Sequence, residues 1–319
     1  MNIFRKIFSV YNENTHKVIC ILGFKIKQRN YKQEIELLKK EFNKKLRREE
    51  RQNLLRLQKM LPLTSIKIIE THIIDYCNLN CKGCDHFAPL APKTLLTLSE
   101  FESDLTRLYE LTKGNIETFV ILGGEPLLHP QCIEFYETAR RIFPESQIKL
   151  VTNGILLLEQ SDDFYERCAK SNIMISPTKY NININWDLVR EKCKQFGVVF
   201  DFYFENQHFH KHPLDLSGSQ NPSLSYLNCQ IGWPRITYLD HGKIYRCSTE
   251  AYMRFFSDYF KKDIKIPETD YIDIYKIKDV QEILNFMITP PQFCSHCIKK
   301  RNSEYFEWET SKKEISEWV

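Results

Sequence analysis

Between residues 66 and 204, short apolar runs alternate with stretches in which apolar residues recur every three or four positions. The runs at 66–75, 116–122, 147–152, 172–176 and 198–204 predict strands, and the stretches near 99–113, 130–142, 160–170 and 186–196 predict helices. Strand and helix alternating at this spacing predict βαβ units around a parallel sheet, an α/β fold whose chemistry belongs in the loops at the strand C-terminal ends. Upstream the pattern differs. Residues 17–27 read as short strands bending at Gly23, and residues 31–61 as one long charged helix. Leu37, Leu38, Phe42, Leu46, Leu54, Leu55, Leu57 and Met60 give that helix a ragged apolar stripe, too irregular for a coiled coil, and Pro62 closes it. Past residue 213 the rhythm is lost: Pro, Ser and Asn punctuate 213–228, and ITYLD-HG-KIYRC at 236–247 predicts a hairpin turning on His241 and Gly242. Three parts follow: a basic arm at 1–62, an α/β core at 63–213 and a smaller cysteine-bearing domain at 214–319, with no internal repeat.

Composition narrows the class. With 319 residues and 42% hydrophobic content the chain can bury a sizeable core, which excludes disorder for most of its length. No apolar run approaches the ~18 residues of a membrane-spanning helix. Asn12, Glu13 and Asn14 interrupt the basic, apolar start before a signal-peptide core can form, so a cytoplasmic protein is expected. Residues 1–62 carry 16 Lys plus Arg against 6 Asp plus Glu, whereas the whole chain is only +4. That arm either packs on the rest of the protein, mediates dimerisation, or is drawn to a partner or an anionic membrane surface at the periphery. Nucleic acid is not expected, since stacking aromatics are scarce in the charged helix.

Eleven cysteines in a reducing compartment point to metal ligands or catalytic groups rather than disulfides. Cys77, Cys81 and Cys84 follow the first strand in DYCNLNCKGCDHFAP, spaced C-x-x-x-C-x-x-C. Three thiolates on one tight loop suit three irons of a 4Fe-4S cluster and leave the fourth open; a zinc site completed by His86 is the alternative. This stretch resembles the radical S-adenosylmethionine (SAM) superfamily, whose signature is this spacing after the first strand of a partial α/β barrel. Gly123, Gly124, Glu125 and Pro126 end the second strand where that family contacts the methionyl amino group of SAM. A loop of this kind is expected to serve the ligand more than the core, so that removing the Glu125 side chain would cost little fold stability. Asn153 and Ser176, at the ends of the third and fourth strands, stand where the family places ribose and carboxylate contacts. One departure is Gly83, where the family has an aromatic residue near adenine; Phe87 or His86 would substitute. The resemblance implies that SAM bound at the open iron is cleaved reductively and that the resulting 5'-deoxyadenosyl radical abstracts a hydrogen from substrate, with electrons from an external donor.

Cys229, Cys247, Cys294 and Cys297 form a second set. Twelve residues separate Cys229 from Gly242, four more lead to Cys247, and a C-x-x-C pair comes 46 residues later. The layout resembles the twitch domain, the shortened relative of the SPASM extension, which holds an auxiliary 4Fe-4S cluster; structural zinc is the alternative. Cys20, Cys132, Cys168 and Cys193 are expected to be small buried hydrophobes.

On the substrate side, Asp201, Tyr203 and Glu205 alternate with Phe200, Phe202 and Phe204, predicting one polar face on the fifth strand. His208, His210 and Arg235 are further candidates for a base or an anion contact. The segment KVICILGFKIKQR resembles a short stretch found in bacterial lipopolysaccharide and capsule biosynthesis proteins, including glycosyltransferases. Together these lead to an oxidation of a carbohydrate or sugar-nucleotide carbinol in surface-polysaccharide synthesis. The rivals are a radical SAM epimerase, a peptide-modifying enzyme, and a noncatalytic metal-binding module.

Overall fold

The structure, a computed structural model, describes residues 8–13, 16–21, 24–29, 31–205, 209–210, 212–229, 236–298 and 305–319. The chain divides into two units, residues 1–58 and 59–319. The first holds an antiparallel sheet of β1 (Phe8–Glu13), β2 (His16–Ile21) and β3 (Phe24–Arg29), in the order β1-β2-β3, and most of helix α1 (Tyr31–Met60). β1 lies upstream of the strands expected at 17–27. The Lys59 side chain is buried within the second unit.

The second unit is built on one sheet. Parallel strands β4 (Ile66–His72), β5 (Ile116–Leu122), β6 (Gln147–Thr152), β7 (Ile173–Lys179) and β8 (Phe204–Glu205) pair in sequence order. The crossovers carry α2 (Leu98–Thr112), α3 (Cys132–Ile142), α4 (Asp162–Lys170) and α5 (Trp186–Phe196). Three of the four starts follow from capping side chains: Thr97 accepts from Glu100 N, Ser161 from Phe164 N and Asn185 from Leu188 N. Ile69, Phe119, Ile121, Ile148, Leu150, Ile173 and Ile175 share the helix-facing core with Phe101, Leu105, Phe135 and Val189. Because side chains alternate across a strand, Glu70, His72 and Val120 face the other way, into the barrel.

Strand five falls short of its expected span. Phe200 bridges Ile175, and Asp201 N and Tyr203 N donate to Ile175 O and Pro177 O, but a regular strand forms only at Phe204–Glu205. Pro177 has no N–H to return, so the ladder breaks beside it.

Residues 214–319 do not build a sheet of their own. A short pair, β9 (Phe209–His210) with β13 (Tyr305–Phe306), lies apart. β10 (Ile236–Asp240) runs parallel to β4 on its free edge, and β11 (Lys243–Tyr245) and β12 (Ile272–Asp273) extend the same sheet antiparallel. The β10–β11 turn sits on His241 (φ 49) and Gly242 (φ 70), both left-handed as a two-residue hairpin turn requires. Helices α6 (Pro222–Asn228), α7 (Ser248–Ala251), α8 (Met253–Phe260) and α9 (Val280–Met287) pack over this half. It keeps its own core of Phe87, Tyr238, Tyr252, Phe256, Phe293 and Trp318.

Candidate active site

The loop after β4 and the loop after β5 are joined backbone to backbone. Gly124 N donates to Ile74 O at 2.7 Å and Glu125 N to Tyr76 O at 3.0 Å. A Cβ on Gly124 would stand 2.2 Å from the Tyr76 carbonyl and 2.6 Å from Cys77 N, and one on Gly123 would stand 2.2 Å from Ile74 O. The two glycines are therefore needed for this approach before any ligand is considered. The GGEP segment thereby sits against the start of the cysteine loop.

Cys77, Cys81 and Cys84 gather with Leu79, Ala88, Ile155, Tyr180, Ile182 and Trp308. Trp308 Nε1 donates to Cys81 Sγ at 3.2 Å, Leu79 N to Cys77 Sγ at 3.4 Å, and Asn153 Nδ2 approaches Cys77 Sγ at 3.7 Å. Burial pushes the Cys77 thiol up to about 11 and the Cys81 thiol to about 12, with Cys84 raised further. Metal binding must therefore displace protons, as it does for thiolate sites generally. Among the described residues no group of three or more His, Cys, Asp and Glu side chains forms a ready-made site for a metal ion. The fit to an iron–sulfur cluster rests on three thiols on one loop, dressed by N–H donors and walled by apolar groups.

Gly83 has φ 64, a left-handed conformation that disfavours any side chain and accounts for the missing aromatic. The rings of both expected substitutes have other partners, although the His86 backbone N–H donates to the Cys84 thiol. Phe87 is wholly buried against Phe256 and Trp318, and His86 turns into the barrel to bond His72. The C-terminal segment closes over the loop instead: Lys82 N donates to Glu309 O, Ser311 N to Asn80 O, and Trp318 Nε1 to Cys84 O at 2.9 Å.

Glu125 is fully buried and its carboxylate is occupied. Oε1 accepts from Leu127 N at 3.1 Å and Thr152 Oγ1 at 2.7 Å, and Oε2 from Asn153 N at 2.8 Å. Burial holds its pKa up at about 7 against the pull of those bonds. Its side chain is thus an internal tie between the β5 and β6 ends, contrary to the expectation that it serves the ligand more than the core. Asn153 extends the tie, Nδ2 reaching Asn78 Oδ1 at 2.7 Å. Ser176 is buried on β7 opposite Val151.

Polar side chains fill a chamber inside the barrel that motif reading missed. Tyr203 donates to Glu70 Oε1 at 2.8 Å, and burial raises the Glu70 pKa. His72 Nε2 meets His86 Nδ1 at 2.7 Å while His72 Nδ1 meets Asp75 Oδ1 at 3.2 Å. Burial drops the His72 pKa to about 4, so it is neutral; with its proton on Nδ1 toward Asp75, its Nε2 accepts from His86. Tyr252 stacks on His72 at 3.8 Å, and its buried hydroxyl has no partner among the described residues. The readable signal was Glu70 and His72 at alternate positions of a strand whose apolar residues are all isoleucine.

Of the expected strand-five residues, only Tyr203 reaches this chamber. Asp201 is exposed at the open sheet edge, and Glu205 is exposed and pairs with Lys179 at 3.3 Å. His210 lies on β9, while His208 and Arg235 lie outside the described residues. Cys132, Cys168 and Cys193 are buried in helices facing the core.

The second cysteine set also converges. Cys247 is pushed up first by burial, then by Glu250 and by the thiols of Cys297, Cys294 and Cys229 around it. Tyr238 bridges the two regions, since Glu70, Asp85, Cys247 and Tyr203 all act on its buried hydroxyl.

Residues 71–205, covering both joined loops and β5 to β8 but beginning one residue after Glu70, match the Radical SAM superfamily. The chain carries a radical SAM domain. The cofactors of that domain are a 4Fe-4S cluster and SAM, and the matched residues include the thiol loop and the GGEP segment. The chain is 31% identical over 108 residues to a GTP 3',8-cyclase of Microcystis aeruginosa, covering 33% of this chain and 32% of that protein. It is 29% identical over 140 residues to that of Aquifex aeolicus, covering 43% and 42%. The match thus spans well under half of these curated relatives. Among solved structures, BtrN in complex with AdoMet and 2-DOIA covers 76% of this chain and all of its own, at 11% identity and a TM-score of 0.44. SuiB of Streptococcus suis covers 90% and 88% at 12% identity and a TM-score of 0.34. Among the described residues no helix is long and apolar enough to cross a membrane.

Proposed function

We propose that this chain oxidises a carbinol of a carbohydrate or sugar nucleotide to a ketone, using SAM, a 4Fe-4S cluster on Cys77, Cys81 and Cys84, and an auxiliary 4Fe-4S cluster on Cys229, Cys247, Cys294 and Cys297. The observation that carries the reading is the Glu70–Tyr203 pair, a buried carboxylate of raised pKa in the chamber between the two cysteine sets. A carboxylate so raised is a stronger base than an exposed one. The reduced cluster and SAM together supply a radical that removes the carbinol hydrogen as an atom.

This chain's own residues do the rest. Tyr203 holds Glu70, and Glu70 takes the hydroxyl proton. The remaining electron would pass Tyr238 toward the four-cysteine site, where Cys229, Cys247, Cys294 and Cys297 would hold the auxiliary cluster that accepts it and so completes the two-electron oxidation. The His72–His86 pair, with one proton shared along each contact, orients substrate hydroxyls. The Gly123 and Gly124 backbone and Asn153 hold SAM, with Ile155, Tyr180 and Trp308 as apolar wall. No spare cysteine among the described residues faces the chamber to return a hydrogen atom, which disfavours epimerisation.

A place in surface-polysaccharide synthesis is supported by the KVICILGFKIKQR stretch, and binding of the basic arm to an anionic membrane by its charge. Anaerobically reconstituted enzyme, screened with sugar nucleotides and with GTP in deuterated water, tests the reaction. A ketone formed with one 5'-deoxyadenosine per turnover supports it. A sugar isomer carrying one solvent deuterium, or turnover of GTP alone, contradicts it.

A further inference from the structure

Lys59, in the last turn of α1, is 1% exposed, a rare state for a lysine. Its Nζ donates to Tyr226 O at 2.6 Å and to Cys229 O at 2.7 Å, and lies 4.8 Å from the centre of the Tyr226 ring. Both carbonyls belong to the C-terminal end of α6, where a helix concentrates unsatisfied acceptors and partial negative charge. The same helix touches a second member of the cysteine set, since Ser225 Oγ donates to Cys297 O at 3.1 Å. Lys59 thus fixes the backbone of one cysteine and, through α6, the neighbourhood of another.

We propose that Lys59 is a positioning residue for the four-cysteine site, seating the Cys229 loop and raising the reduction potential of the cluster held there. The inference rests on the auxiliary-cluster reading above. A cluster held by four thiolates gains negative charge on reduction, and a buried cation hydrogen-bonded to a ligand's own peptide favours the reduced form. Burial makes the effect large, because little water screens it. Such a cluster accepts the electron that carbinol oxidation releases more readily than one without the ammonium.

The test compares the full chain with Lys59→Met and Lys59→Arg, each also in a Cys77→Ala, Cys81→Ala, Cys84→Ala background so that only the auxiliary signal remains. Iron content and an electron-paramagnetic-resonance redox titration are read, and the cluster at the first cysteine loop, in chains that retain it, reports correct folding. Lys59→Met is expected to shift the reduction equilibrium at least tenfold toward the oxidised form, about 59 mV for one electron, with Lys59→Arg near wild type. Loss of the auxiliary cluster in Lys59→Met with retention in Lys59→Arg supports the proposal equally. Equal potentials in all three overturn it, as does loss of the auxiliary cluster in both variants while the first persists. Zinc in the four-cysteine site of the wild type overturns the auxiliary-cluster reading itself, a result distinct from any difference among variants.

Discussion

Ser248 donates its hydroxyl to Asp85, Oγ to Oδ2 at 2.9 Å, and each residue directly follows a cysteine, Cys247 and Cys84. A single hydrogen bond thus connects the two cysteine sets through their immediate neighbours. Burial pushes Asp85 up, but His86, His212 and the Ser248 bond outweigh it and hold the carboxylate below its usual range.

Ser248→Ala is therefore expected to cost about 1 kcal/mol in urea denaturation, as one hydrogen bond to a carboxylate that remains a third exposed. Because the folded pKa is depressed, this stabilisation is present above the unfolded value and is lost as pH falls through the folded one. The difference between wild type and variant should shrink on acidification; a difference unchanged down to pH 2 contradicts the assignment.

Glu125 has the opposite sign. Its pKa is raised from 4.5 to about 7, so the folded state holds the proton more tightly than the unfolded state. Stability is expected to fall as pH rises between these values, by up to about 3 kcal/mol, and to level off above. Glu125→Gln should flatten that slope. Glu125→Ala should cost about 3 kcal/mol, since Leu127 N, Asn153 N and the Thr152 hydroxyl lose their acceptor. Chemical denaturation across pH measures both, and an Ala variant as stable as wild type refutes the internal role.

The fate of these two carboxylates shows what the sequence could and could not convey. The motif located Glu125, but its three donors come partly from β6, so its structural role needed the fold. Strands 116–122 and 147–152 and helix 186–196 were legible because their periodicity is local and their caps adjacent. Trp308 and Trp318 were not: each meets the cysteine loop across more than 220 residues of sequence, and nothing nearby marks them. The 236–247 hairpin was found, yet its parallel pairing with β4 was invisible, because a strand edge leaves no pattern in its partner. The expected polar face of strand five reduced to Tyr203 because the sheet edge is open there and leaves Asp201 in water.

In the chamber, Glu70→Gln and Tyr203→Phe should separate radical formation from product formation. Ketone yield is expected to fall about 100-fold in Glu70→Gln and about tenfold in Tyr203→Phe. Release of 5'-deoxyadenosine should persist, because Glu70 and Tyr203 hydrogen-bond each other and not the thiols of the cysteine loop. Chromatographic quantitation of both products decides, and a proportional loss of the two would move Glu70 out of the proton-accepting role.

For the basic arm, α1 exposes Ile35, Leu38, Phe42 and Leu46 along one side, and it carries 10 Lys plus Arg against 5 Asp plus Glu. The full chain should sediment with vesicles containing anionic lipid at low salt and less so at high salt, and Phe42→Ser with Leu46→Ser should abolish it. Absence of sedimentation at low salt contradicts membrane attachment.

Iron counting with SAM cleavage tests the central claim most directly. Anaerobic reconstitution of the full chain should give about eight irons, and replacement of Cys77, Cys81 and Cys84 by Ala about four, because a three-thiolate and a four-thiolate site each hold one 4Fe-4S cluster. The same replacement should abolish 5'-deoxyadenosine formation. Full iron content in the triple variant, or cleavage of SAM without the three cysteines, would contradict the account.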